Sequence, residues 1–173
     1  MSNGTEDTRH YLHERLLEEA ARARRCGQSL SVVMADLDHF SKINDTYGHQ
    51  TGDTVVQHAV ALTRSALRQS DWIARCGGEE FVIVLPETPL QGAYAVAERV
   101  RRLCAETPVE LSDTQLTVTA SFGVATIDGV APSNSDAEAM LREADKALNE
   151  SKRAGRNRVT CGPKSAPAAI ATA

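Results

Sequence analysis

The sequence has no excess of basic residues, no cysteines at CxxC spacing, no apolar run of membrane length and no internal repeat. Nineteen Lys plus Arg stand against 23 Asp plus Glu, a net charge of −4. That balance excludes a nucleic-acid binder relying on a globally positive surface and leaves only a local basic site. The four cysteines, Cys26, Cys76, Cys104 and Cys161, are irregularly spaced and form no Cys/His cluster suited to zinc, so reduced thiols in a cytoplasmic protein are expected. No stretch approaches the roughly 20 apolar residues of a membrane span. The opening Met1-Ser2-Asn3-Gly4-Thr5-Glu6-Asp7 lacks the charged and apolar regions of a secretory signal. What remains is ordinary globular usage, 173 residues with 42% hydrophobic and 24% charged, which suits one domain and excludes collagen-like, coiled-coil and wholly disordered chains. Residues 1–8 read as a polar leader or linker, 9–161 as the folded domain, and 162–173 as a disordered Pro/Ala/Ser tail.

Hydrophobic periodicity orders the domain. Leu12, Leu16, Leu17, Ala20 and Ala23 recur at helical spacing between Arg9 and Cys26, and Gly27 ends that helix. Ser29 to Ala35 reads as a buried strand that delivers Asp36-Leu37-Asp38, with both carboxylates on one face of an exposed working edge. Residues 39–52 read as a short helix plus loop before a second amphipathic helix marked by Val55 to Leu67. Asp71–Cys76 and Phe81–Leu85 form a hairpin across Gly77-Gly78-Glu79-Glu80, whose glycines are expected to take positive φ. A third helix over Leu90–Cys104, a strand over Leu116–Thr126, a fourth helix opened by a Ser135/Glu138 capping box and an edge strand over Asn157–Thr160 complete the order. The expected class is α+β, ferredoxin-like or polymerase-palm-like, a mixed sheet flanked by helices with the hairpin at its centre.

Carboxylates converging from a strand end and a hairpin tip suit a hard divalent cation, because magnesium takes oxygen ligands from one or two carboxylates plus substrate phosphates. Metal-assisted phosphoryl transfer is the chemistry such a pair serves, and Asp36 and Glu79 are its best-placed members. An amide and a carboxylate, Asn44 and Asp53, flank the Gly-rich loop and have the donors and acceptors to read a guanine edge. Singly, each feature has a plain structural explanation as a turn, a cap or a solvated pair. Phe40 reads as a packing residue rather than a base-stacking one.

Together, DLDHFSKINDTYGHQTGD, RQSDWIARCGGEEF, TASFGVAT and ADKALNESKRAGRNRV resemble the GGDEF family of diguanylate cyclases over roughly residues 9–160, in the GGEEF variant. The resemblance implies a homodimer in which each protomer brings one GTP, condensing the two to cyclic di-GMP with release of two pyrophosphates. It implies Mg2+ or Mn2+ held by Asp36, the Leu37 carbonyl and Glu79 with help from Glu80, and Glu79 as general base for the 3′-hydroxyl. It implies GTP contacts from Asn44, His49 and Asp53 to the base and loop, and from Lys152 and Arg156 to phosphate. Arg68-Gln69-Ser70-Asp71, five residues before Gly77, matches the family's RxxD site for product inhibition by c-di-GMP, with Arg99 as a second basic contact. An upstream sensory domain in a longer chain is the matching architecture.

Three departures bear on that expectation. Ser41 stands where the family carries a lysine that contacts phosphate, and Lys42 next to it points elsewhere. Asn149 stands where an aromatic is common, and the family's DxLTGLxNR opening is absent. A catalytically weakened c-di-GMP receptor is therefore the alternative function, and another palm-type nucleotide cyclase or polymerase a third.

Overall fold

The computed structural model of the chain describes residues 3–128 and 136–162. In order they form α1 (Asn3–Cys26), β1 (Leu30–Leu37), α2 (Phe40–Tyr47), α3 (His49–Ser65), β2 (Trp72–Arg75), β3 (Glu80–Pro86), α4 (Leu90–Glu106), β4 (Val109–Glu110), β5 (Gln115–Leu116), β6 (Ala120–Ile127), α5 (Asp136–Arg153) and β7 (Val159–Cys161). Helix α1 begins at Asn3, six residues before the expected Arg9 and inside the expected leader. Ser135 of the expected capping box and residues 163–173 of the expected tail lie outside the described residues.

The five main strands form one sheet in the order β2-β3-β1-β6-β7, antiparallel throughout except for the parallel pair β6–β7. The expected α+β mixed sheet flanked by helices is what the chain adopts. The hairpin takes one flank rather than the middle: β2 is the edge strand, and β1 holds the centre because it pairs on both sides. Alternation along β1 divides the core. Val33, Ala35 and Leu37 join Phe81, Phe122 and residues of α2, α3 and α4, whereas Leu30 and Val32 join Val82, Val84 and residues of α1 and α5. Side chains the size of Phe81, Phe122 and Leu16, all fully buried, each stabilise the fold by about 1.5–3 kcal/mol through apolar burial. Phe40 belongs to the first cluster, packing as expected.

Helix α5 lies directly on β6. A Cβ at residue 123 would overlap the Ala144 carbonyl oxygen and the Leu148 amide nitrogen, so only glycine permits this approach. The expected loop before the second helix is a single hinge residue: Gly48, at φ 85°, donates to the Asn44 carbonyl to close α2 and accepts from Gly52 to open α3. The strand expected over 116–126 is broken. Leu116 pairs with Val109 in a separate two-stranded ribbon, and β6 begins at Ala120, with one further bond, Asp38 amide to Thr119 carbonyl at 2.8 Å, just beyond the end of β1.

Antiparallel pairing sets where the site lies. The C-terminal end of β1 meets the N-terminal end of β3, with Asp36 opposite Glu80, and meets the N-terminal end of β6, with Leu37 opposite Ala120. Because β7 runs parallel to β6, the turn entering β7 and the C-terminus of α5 come to the same edge. The segment Arg68–Asp71 precedes β2 and therefore lies at the far end of the hairpin from its Gly77–Glu80 tip.

Candidate active site

At this edge the two ends of the site are tied by backbone: the Leu37 amide donates to the Glu79 carbonyl at 3.3 Å, so the hairpin tip sits on the last residue of β1. Inside the tip, the Cys76 and Gly77 amides both donate to the Glu80 carbonyl. Neither Gly77 nor Gly78 takes the positive φ expected of them. The turn is held instead by Arg75, whose Nε donates to the Gly77 and Gly78 carbonyls and whose Nη2 donates to Gly78 at 2.6 Å. A Cβ on Gly77 would lie 3.2 Å from Glu80 Oε2, so this glycine leaves room for the carboxylate beside it.

The two aspartates expected at an exposed edge are both buried, Asp36 at 7% and Asp38 at 5% exposure. They do different work. Asp38 accepts hydrogen bonds from Thr119 Oγ1 and Ser121 Oγ, both 2.7 Å, and from the Asn157 amide at 3.0 Å. Three donors make it a brace between β1, β6 and the turn before β7, using most of its acceptor capacity. Asp36 has one partner, the Lys152 ammonium, 2.9 Å from Oδ2. Burial lifts its carboxyl above the ordinary value of 3.8; Lys152 pulls it back by hydrogen bond and charge, and Glu79 and Glu80 push it up again. Glu79 and Glu80 thus lie close enough to Asp36 to repel its charge, while the Lys152 ammonium pairs with Asp36.

This donor set fits a hard dication. Asp36 and the half-buried Glu79 and Glu80 offer only oxygen, and the Lys152 ammonium already stands where positive charge is required. Among the described residues no three His, Cys, Asp or Glu side chains gather closely enough to hold a metal ion by themselves; magnesium at such a site would need substrate phosphate and water beside one or two carboxylates.

Asn44 on α2 and Asp53 on α3 flank the α2–α3 corner. Asn44 packs on Gly52, the residue before Asp53: a Cβ there would overlap Asn44 Oδ1 and lie 3.0 Å from its Cγ. Asn44 Oδ1 is buried with no hydrogen-bond partner among the described residues, an acceptor open to a ligand donor. His49 and Asp53 are exposed at the start of α3, and Ser41 and Lys42 are exposed on α2. Arg156 is exposed at φ 65° in the turn after α5, and its guanidinium makes no hydrogen bond or ion pair among the described residues.

At the far end of the hairpin, the Asp71 carboxylate accepts the Arg68 amide at 2.9 Å, and both residues line an open groove with Arg64, Leu67, Trp72 and Ile73. Arg99 on α4 donates to the Ala66 carbonyl, which brings a second guanidinium to the same turn. The Trp72 indole Nε1 bordering the groove is buried without a partner, and Arg15 of α1 stacks over the same ring at 4.4 Å. The structure therefore gathers two groups, one around Asp36, Glu79, Glu80 and Lys152, the other around Arg68, Asp71 and Arg99. Sequence reasoning missed Arg75 and the roles of Asp38 and Gly52. An arginine immediately before the hairpin turn was the only local signal for the first, and the others depend on contacts across the fold.

The family model described as "Diguanylate cyclase, GGDEF domain" matches residues 7–158. The chain belongs to the GGDEF domain family. This GGDEF domain is 43% identical over 148 residues to diguanylate cyclase DgcP of Pseudomonas aeruginosa, covering 86% of the chain and 22% of that protein. It is 39% identical over 164 residues to diguanylate cyclase A of Treponema denticola, covering 93% of the chain and 43% of that protein. The domain thus spans less than half the length of either relative. Among solved structures, the active GGEEF domain of a Vibrio cholerae diguanylate cyclase superposes with a TM-score of 0.79 at 33% identity, covering 88% of this domain and 95% of that chain. The GGDEF domain of DgcB from Caulobacter crescentus in complex with c-di-GMP superposes at 0.78 with 30% identity and 86% of each chain covered. Among the described residues no helix is long and apolar enough to cross a membrane.

Proposed function

We propose that this GGDEF domain is a diguanylate cyclase that joins two GTP molecules into c-di-GMP and releases two pyrophosphates, acting in the cytoplasm as a homodimer with one GTP per protomer. The observation that carries this reading is that Asp36, paired with the Lys152 ammonium, lies at the same sheet edge as Glu79 and Glu80 and feels their charge. Mg2+ or Mn2+, held there by Asp36, the Leu37 carbonyl and Glu79, supplies charge neutralisation for the triphosphate.

The chain's own groups do the rest. The Asn44 amide and the Asp53 carboxylate bind the guanine edge, with His49 beside them on the same helix start. Lys152 and Arg156 bind phosphate oxygens by charge-assisted hydrogen bonds. Glu79, with Glu80 assisting, accepts the proton of the 3′-hydroxyl as its oxygen bonds to the α-phosphorus of the facing GTP, and the bond from that phosphorus to the β-phosphate bridge breaks with the pyrophosphate. The second, symmetric transfer closes the ring. Arg75 keeps Glu79 in place by fixing the two glycine carbonyls before it. Product binds the groove of Arg68 and Asp71, with Arg99 from the neighbouring face of α4 as a second basic contact, at the other end of β2 from the chemistry, and inhibits from there.

The test is incubation of the purified chain with GTP and Mg2+, and again with Mn2+, with nucleotides resolved by chromatography. Formation of c-di-GMP that is abolished by Glu79→Ala and whose specific activity rises with protein concentration supports the reading. Persistent GTP with a folded dimer refutes it, and c-di-GMP binding lost in Arg68→Ala then identifies a receptor with Ser41 as the disabling substitution.

A further inference from the structure

Lys152 carries more than a phosphate contact. Its ammonium lies 2.9 Å from Asp36 Oδ2, with the lysine side chain 29% exposed and the aspartate 10% exposed. The two are separated by 116 residues, so the pair is built by tertiary packing, not by local chain geometry. Lys152 lies in the last turn of α5, and α5 is held on β6 by the glycine contact at Gly123. The lysine root is therefore fixed, and only its flexible four-carbon stem moves.

We propose that Lys152 is a resident counter-ion that keeps the nucleotide-free site closed to divalent cations, and that a triphosphate opens the site by drawing the ammonium off Asp36. This rests on the reading of Asp36 as a metal ligand. An ammonium and a dication cannot share one carboxylate oxygen without strong repulsion, so occupancy by one excludes the other. The ammonium is the better resident of an empty site, because it offsets the Asp36 charge, which Glu79 and Glu80 disfavour, while its partly exposed side chain keeps access to solvent. A triphosphate changes the balance by offering the lysine several oxygens of its own and the metal the ligands Asp36 alone does not supply. The consequence is an order of events: metal enters with the nucleotide and binds the nucleotide-free domain weakly.

The experiment is calorimetric titration of Mn2+ alone into the nucleotide-free chain at fixed ionic strength, for the wild type, Lys152→Met, Lys152→Arg, Asp36→Asn and the Asp36→Asn/Lys152→Met pair. A neighbouring opposite charge shifts a carboxylate's proton affinity by about ten- to a thousandfold, and the gain in Mn2+ affinity for Lys152→Met is expected at about tenfold or more. Lys152→Arg should stay near the wild type, and both variants lacking Asp36 should lose the binding. In the presence of 3′-deoxy-GTP, which cannot be condensed, the wild type should gain Mn2+ affinity by a larger factor than Lys152→Met does. No gain in Lys152→Met, with Asp36-dependent binding intact or with no binding in either protein, overturns the counter-ion role and leaves the cyclase reading standing. Mn2+ binding that survives Asp36→Asn in both backgrounds overturns the metal-ligand reading together with the inference. Thermal unfolding confirms the fold of each variant, and Lys152→Gln replaces Lys152→Met should the latter not fold.

Discussion

Gly52→Ala separates recognition from stability. Gly52 lies inside α3 with ordinary helical backbone, so alanine there favours the helix by about 0.8–1.0 kcal/mol. The added methyl overlaps Asn44 Oδ1 and stands 3.2 Å from Phe40 Cζ. The Asn44 amide is the end of a short side chain and rotates aside, whereas Phe40 is fixed in the core and yields by a few tenths of an ångström. The two stability effects oppose, and the net change is expected within about 1 kcal/mol of zero. Displacing the amide leaves a guanine without its hydrogen bonds to Asn44, about 1–3 kcal/mol, which corresponds to about a 5- to 150-fold loss of GTP affinity. Urea unfolding and calorimetric binding of 3′-deoxy-GTP measure the two independently. Unchanged affinity would remove Asn44 from the nucleotide site, and a stability loss beyond about 2 kcal/mol would show that the methyl is accommodated by the core and not by the amide.

Three further outcomes are expected. Gly123→Ala must push α5 off β6 and should destabilise by about 3 kcal/mol or more, at the top of the ordinary overpacking range or beyond it, as a fall in urea midpoint with an unchanged slope. Because the Asp36 carboxyl is raised above 3.8 in the folded chain, the native state holds its proton to higher pH than the unfolded chain, so Asp36 costs stability as pH rises through that window. Asp36→Asn should therefore raise the melting temperature at pH 7.5, with the gain vanishing below about pH 4, the unfolded carboxylate range; a gain that persists at pH 3 would show another cause. Burial lifts the Cys104 thiol to about 11, so at pH 8 the exposed Cys26 should react first with a thiol reagent and Cys104 only on unfolding, and early labelling of Cys104 in mass spectra would contradict its burial.

What the sequence determined by itself was periodic or contiguous. The alternation of Leu30, Val32 and Val33 with Asp36 at the strand end, the helical stripe of Ala93, Val96, Ala97 and Val100, and the Gly-Gly-Glu-Glu turn each lie within a few residues, where side-chain period and turn chemistry decide. The resemblance carried by those motifs extended the reading to Asn44, Asp53, Lys152 and Arg68 without any coordinates.

The tertiary structure decided everything that depends on who meets whom. It made Asp38 a three-donor brace and left Asp36 to the ammonium, although the two carboxylates are two residues apart and identical in type. It ended one expected strand at Leu116 because Leu116 pairs with Val109, and it shortened an expected loop to Gly48 because Asn44 and Gly52 complete their hydrogen bonds across it. It put the hairpin at the flank of the sheet because β1 has two antiparallel partners, which sends the Glu79 tip to one edge and Arg68 to the other. The physical reason is common to all of these. At the site, the buried Asp36 and Asp38 carboxylates are satisfied by groups 81 to 119 residues away, and no local pattern encodes which distant group arrives.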